Sequence, residues 1–242
     1  MREEPTVRLG LAAIRGIGEE VAERIEAARL GGGPFADMAD TARRAGLTTA
    51  QLEALATAGA FGCFERGGRS RREALWAAGA VAQVASPHKL DGIVVGEKAP
   101  PLESMSTVEE MASDIWSTGI SLEGHPVQLV REDLTAKGVL SSADLQSAAS
   151  DTTVTVAGVV THRQQPATAG GTIFLNLEDE TGMINIICSP GAWARNRKVA
   201  GTASALLVKG RLERVEGVAN VIAESFRPLH LPVMAVASRD FR

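Results

Sequence analysis

The 242-residue sequence contains no tyrosine, and aromatic residues make up only 4% of it. That scarcity excludes a dense stacking platform, the device that holds single strands tightly through successive bases. Cysteine occurs only at Cys63 and Cys188, without other ligand-type residues at metal-binding spacing. No disulfide framework and no metal site is expected, only two reduced, buried thiols in a cytoplasmic chain. No apolar run approaches the roughly 20 residues of a membrane helix, so no membrane association is expected. The start, Met1-Arg2-Glu3-Glu4-Pro5, lacks the apolar stretch of a signal peptide. No phosphate-cradling loop runs into Lys-Ser/Thr. No local motif joins either cysteine to His88, His125, His162 or His230. No catalytic site and no cofactor is expected.

What is present is a globular composition, 45% hydrophobic and 22% charged, with length for two small domains. The net charge of −4 is uneven. Residues 1–85 hold 11 Lys/Arg and 11 Asp/Glu, residues 86–150 hold 4 and 10, and residues 151–231 hold 8 and 7. The acidic excess therefore sits in the middle, and both ends permit local phosphate contacts without being strongly basic.

From 11 to 84 the pattern is one of short helices. Residues 19–29 put Val21, Ile25 and Ala28 on one face, and Gly31-Gly32-Gly33-Pro34 ends that helix. Residues 35–45 predict a second helix, and Thr48 with Gln51 predicts a capping box for a third. Ser70 with Glu73 predicts another box, opening a helix toward Val84. Prolines and glycines between 86 and 106 predict a connector, followed by a helix capped at Thr107 and another begun by Gly124-His125-Pro126. A short helix or turn at 140–148 leads into the next domain.

From Thr152 the period changes to two. Strands are expected at 154–160, 172–177, 183–188, 205–213 and 218–223, with a helix at 190–199. Ile173, Leu175 and Leu177 alternate against Thr172, Phe174 and Asn176. Five strands with a helix between the third and fourth is the order of the five-stranded OB-fold β-barrel. The fold expected is thus multidomain α and β: a helical domain at 1–85, a connector with helices at 86–150, the barrel at 151–231 and a tail at 232–242.

Three stretches carry candidate chemistry. The first is Arg15-Gly16-Ile17-Gly18, between two helical segments, the helix-hairpin-helix pattern. Its glycines let backbone approach a phosphate, and the N–H groups opening the next helix point at it. An ordinary tight turn is the competing reading. The second is Ala58-Gly59-Ala60-Phe61-Gly62, where a paired hairpin would fall, with Arg66, Arg69, Arg71 and Arg72 as the densest basic cluster behind it. A solvated helix start competes there. The third is the barrel face, where Arg163, Phe174, Asn176, Asn185, Lys209, Arg211 and Arg214 are the groups available to a single strand. Glu178-Asp179-Glu180 reads as a turn, since consecutive carboxylates point in different directions.

Together these stretches resemble the C-family bacterial DNA polymerases, the family of the DNA polymerase III alpha subunit. The resemblance is carried by Val7-Arg8-Leu9-Gly10-Leu11 through Gly18, by Leu52 to Phe61, by Arg72-Glu73-Ala74-Leu75-Trp76 and by Gly124-His125-Pro126. It is carried most specifically by Gly158 to Pro166 and by Phe174 to Gly182. The ending Ser238-Arg239-Asp240-Phe241-Arg242 resembles the error-prone, damage-inducible branch. Gln165 departs from the family, in which an arginine precedes the proline. The resemblance implies a non-catalytic, C-terminal part of a translesion polymerase: the hairpin region against duplex DNA and the barrel near single-stranded template. It also implies DNA repair and induced mutagenesis, with an inactive Y-family-like accessory protein linking the enzyme to the sliding clamp. Catalytic aspartates would lie elsewhere in such an enzyme. The alternative expectation is a protein-interaction module docking mutasome partners with little DNA binding. A hydrolase using Asp179 or the cysteines is a third.

Overall fold

The computed structural model describes residues 8–64, 70–84, 100, 102–122, 124–215 and 217–233. Arg66, Arg69, most of the segment read as a connector and the tail from 234 lie outside them. The chain divides between Leu122 and Glu123 into two compact units. Among the described residues no helix is long and apolar enough to cross a membrane.

The first unit is helical: α1 (Gly18–Gly32), α2 (Met38–Ala45), α3 (Thr49–Thr57), α4 (Arg71–Val84) and α5 (Thr107–Thr118). Val21 and Ile25, one turn apart on α1, are buried with Ile14, Ile17, Leu52, Leu55, Phe61 and Ala78. The helix continues through Gly31 and Gly32 and stops only at Gly33, where φ is +75°. The second helix starts at Met38, later than the apolar pattern suggests, because Asp37 accepts a hydrogen bond from Asp40 N at 2.7 Å and caps it there. The Thr48/Gln51 and Ser70/Glu73 boxes form as expected. In α5 the cap is Ser106, boxed with Glu109, one residue before Thr107. The glycine-rich links leave helix carbonyls open, and arginines close them. Arg44 Nη2 donates to Ala28 O at 2.5 Å and to Gly33 O at 2.9 Å at the end of α1. Arg24 donates to Ala45 O and Gly46 O, each at 3.2 Å, at the end of α2. Cationic donors at a helix C-terminus satisfy carbonyls and oppose the negative end of the dipole.

The second unit is a closed barrel in the order β1-β2-β3-β5-β4, from β1 (Thr153–Gln164), β2 (Ile173–Asp179), β3 (Gly182–Cys188), β4 (Ala205–Val215) and β5 (Val218–Pro228). All pairings are antiparallel except β3 with β5, which is parallel. The helix preceding β4, α8 (Pro190–Thr202), follows β3, so the observed topology is that of an OB-fold. Alternation sends Leu175, Leu177, Ile184, Ile186, Val208, Leu212 and Val221 into the core. Register slips at 160/162 in β1 and at 223/225 in β5, opposite Lys209 and Gly210 of β4, bend the sheet shut. Gly210 permits the second bend: a Cβ there would stand 2.2 Å from Ile222 O, against backbone that cannot yield.

The segment 126–147 belongs to this unit. A 3-10 turn (Pro126–Val130), α6 (Arg131–Ala136) and α7 (Ser142–Ser147) pack against the barrel. Val127, Leu134 and Val139 form a small core with Ala157, Ala205 and Leu231. The stretch read as a connector is therefore shared, with α5 in the first unit and α6 and α7 in the second.

Candidate nucleic-acid interface

Gly16, with φ +87°, and Gly18, with φ +63°, fold the chain back before α1. Ile17 is 3% exposed and pins the hairpin into the helical core. Arg15 N donates to Ser117 O at 2.8 Å and Ile17 N to Ile14 O at 3.0 Å. The N–H groups of Gly16, Gly18, Glu19 and Glu20 have no acceptor among the described residues, and no side chain caps α1. These are the groups a phosphate oxygen would take up, on the positive end of the helix dipole. Arg15 is exposed, its guanidinium 5.1 Å from the centre of the Trp116 ring.

The second glycine stretch is built differently. Gly59 N donates to Ala56 O at 3.0 Å, Ala60 N to Leu55 O at 2.9 Å and Gly62 N to Gly59 O at 3.2 Å. The Gly59 and Ala60 amides thus close α3 and the Gly62 amide closes the turn itself, so none of the three is open to a phosphate. Arg71 lies over Gly59 and pairs with Asp114 at 2.5 Å. Arg72 pairs with Glu109 at 2.9 Å and donates to Glu103 O at 3.0 Å. Both arginines join α4 to α5.

On the barrel, cross-strand register lines up two rows. Gln164, Phe174, Ile187, Ile222 and Arg211 follow one another across β1, β2, β3, β5 and β4. His162, Asn176, Asn185, Asn220 and Glu213 form the next row. None of these side chains is buried, while their neighbours along β2, β3 and β5 fill the core. Asn176 Nδ2 donates to Asn185 Oδ1 at 3.0 Å. The outer face is therefore an apolar row beside an amide row, suited to the faces and edges of unpaired bases. His162, Ile187, Asn220 and Ile222 complete it, and the sequence reading missed them. The parallel β3–β5 pairing that aligns them has no local sequence signal.

The cations expected on this face are mostly engaged. Arg163 donates through Nε to Ala200 O at 2.9 Å and through Nη2 to Ala203 O, closing α8. Arg214 donates to Leu145 O, to Gln146 O at 2.8 Å and to Ala148 O at 3.0 Å, closing α7. Arg211 meets Asp151 at 2.6 Å in an exposed pair, which binds weakly enough to yield to a phosphate. Lys209 is exposed and has no ion pair among the described residues. So are Arg195, Arg197 and Lys198 on α8, a helix without a carboxylate.

The Glu178-Asp179-Glu180 turn is a structural anchor. Asp179 accepts from Ser142 N at 2.7 Å, Thr181 N at 2.8 Å, Thr181 Oγ1 at 2.7 Å and Gly182 N at 3.1 Å. Arg131 bridges Asp179, at 3.2 Å, and Glu180. Of the two thiols only Cys188 is buried, and burial pushes its pKa up to about 11. Cys63 is exposed, because Phe61 takes the buried position in that turn.

His125 accepts from Val127 N through Nδ1 at 3.2 Å and opens the 3-10 turn. Burial holds its pKa below the ordinary 6.5, against the nearby carboxylates of Glu178, Glu180 and Asp179. The unfolded chain then binds a proton that the native state resists, so stability falls as pH drops through the ordinary value. Thermal melts from pH 7.5 down to 5.5 should show a decline that His125→Gln reduces, above the range in which carboxylates titrate.

Residues 1–75 match the family model for the helix-hairpin-helix motif, and residues 154–229 match the OB-fold nucleic acid binding domain. The chain thus joins a helix-hairpin-helix region to an OB-fold nucleic acid binding domain. Its relatives are error-prone DNA polymerases. That of Mycobacterium tuberculosis is 51% identical over 236 residues, covering 98% of this chain and 21% of the relative. That of Nocardia farcinica is 50% identical over 242 residues, with the same coverage of each. The chain is homologous to a region of error-prone DNA polymerases and spans about a fifth of the length of these relatives. Among solved structures, asparaginyl-tRNA synthetase from Pyrococcus horikoshii complexed with asparaginyl-adenylate is similar at 19% identity and a TM-score of 0.33, over 38% of this chain and 22% of that one.

Proposed function

We propose that this chain is the non-catalytic DNA-positioning part of a C-family error-prone polymerase, acting in the cytoplasm in translesion synthesis, DNA repair and induced mutagenesis. The observation that carries this reading is identity of about half the residues with error-prone polymerases across 98% of the chain. The amides of Gly16 and Gly18, which have no acceptor among the described residues, support a duplex phosphate contact, and the paired rows on the barrel support a single-strand contact. In this reading the chain needs no cofactor. It orients primer and template, while the bond-forming groups lie in other parts of the parent enzyme. An accessory protein resembling an inactive Y-family polymerase, and through it the sliding clamp, are the proposed partners.

A second reading has its own support. Arg71, Arg72, Arg163 and Arg214 are engaged within the protein, and Phe174, Ile187 and Ile222 form an apolar row. That combination also suits a barrel that docks a protein partner and holds DNA weakly. Fluorescence-anisotropy titration with duplex, single-stranded and primer–template DNA separates the two. DNA positioning predicts that Gly16→Val weakens duplex binding selectively and Phe174→Ala weakens single-strand binding. Undiminished binding by both variants, or none by the folded parent chain, favours partner docking.

A further inference from the structure

We infer that Trp116 completes the hairpin site, and that this site takes the end of a duplex carrying an unstacked base in preference to continuous duplex. The inference rests on the proposed phosphate contact at Gly16–Gly18 and names the form of DNA recognised there. Trp116 lies on α5, about a hundred residues further along the chain, yet the fold attaches it to the hairpin by two independent contacts. Arg15 N donates to Ser117 O at 2.8 Å, so the hairpin backbone is tied to the residue after the tryptophan. The Arg15 guanidinium lies 5.1 Å from the centre of the Trp116 ring. Trp116 nevertheless remains 43% exposed, although an indole gains several kcal/mol by full burial. Ser117 and Asp114 on the same helix are buried, and Asp114 is held by Arg71, so α5 is fixed in place and its tryptophan is held outward.

The chemistry of such a group is specific. An aromatic face binds the π-face of a base, and within continuous duplex both faces of every base are covered by neighbours. Only a gap or an overhang frees a base to turn its open face toward a side chain beside the backbone, since the open face of a blunt end points along the helix axis. A phosphate held by the amides of Gly16, Gly18, Glu19 and Glu20 would bring the adjoining nucleotide within reach of the Arg15–Trp116 pair. Arg15, stacked on the ring, would keep its charge available to that phosphate.

The test must separate this site from the barrel, which also takes single strands. A one-nucleotide overhang does so, because it exposes one base and is shorter than the roughly 4–16 nucleotides an OB-fold engages. The intact chain should bind a duplex with a one-nucleotide overhang about tenfold more tightly than a blunt duplex of equal length. Trp116→Ala should abolish that preference and leave blunt-duplex affinity within about threefold, and Trp116→Phe should restore much of it. A 2-aminopurine at the overhang should be quenched by the parent chain and not by Trp116→Ala. Equal affinity for the two DNAs, or an equal loss for both in Trp116→Ala, would overturn the inference and leave the phosphate contact standing. Absence of any duplex binding by the folded parent chain would overturn both.

Discussion

Asp179→Ala should destabilise the barrel unit by about 3 kcal/mol or more, read as a lower urea midpoint at unchanged transition slope. The Asp179 side chain is fully buried beside Arg131, itself 19% exposed. Removing one member of a buried pair leaves the other charge uncompensated, at a typical cost of about 3–5 kcal/mol. Glu180 remains to hold Arg131, which places the effect toward the lower end of that range. The lost acceptor for Ser142 N, Thr181 N and Gly182 N adds to it, since those amides tie α7 and the β2–β3 turn together. Asp179→Asn should recover only part of the loss, because an amide replaces one acceptor oxygen with a donor facing donors. The same geometry weighs against the hydrolase reading. A carboxylate with both oxygens occupied by protein donors has no lone pair aimed at a substrate, so Asp179 variants should change stability without removing any hydrolytic activity.

Gly16→Val should lower duplex affinity by about 10- to 100-fold, the cost of losing one or two charge-assisted amide contacts. A β-branched residue at φ +87° is strained by about 1–2 kcal/mol. Its Cβ would sit 3.9 Å from Ala54 Cβ, so a first methyl-sized group fits and the branches crowd. Relief of that strain rotates the hairpin amides away from the phosphate. Gly16→Ala should show a smaller loss of the same kind, and single-strand binding at the barrel should survive both substitutions.

The hairpin was legible in the sequence because glycine spacing and the periods flanking it are local features, and so was the alternation of Ile173, Leu175 and Leu177. The capping boxes were legible to within a residue for the same reason. The fate of the arginines was not. Arg163 and Ala200 are 37 positions apart and Arg214 and Leu145 are 69, so only the closed barrel shows that these cations end helices. Seen in sequence alone, they counted as phosphate ligands. Trp116 was missed because α5 reaches the hairpin only through tertiary packing, and Asn220 because its row depends on a parallel pairing.

The most direct test of the DNA-positioning account is the salt dependence of duplex and single-strand affinity for the intact chain. Each phosphate neutralised contributes a slope of about −0.7 to −0.9 in log affinity against log salt. With so many arginines engaged internally, the account predicts a measurable but shallow slope, made shallower by joint replacement of Arg195, Arg197 and Lys198 with glutamine. Binding that ignores salt, or no binding by a folded chain at low salt, would contradict it.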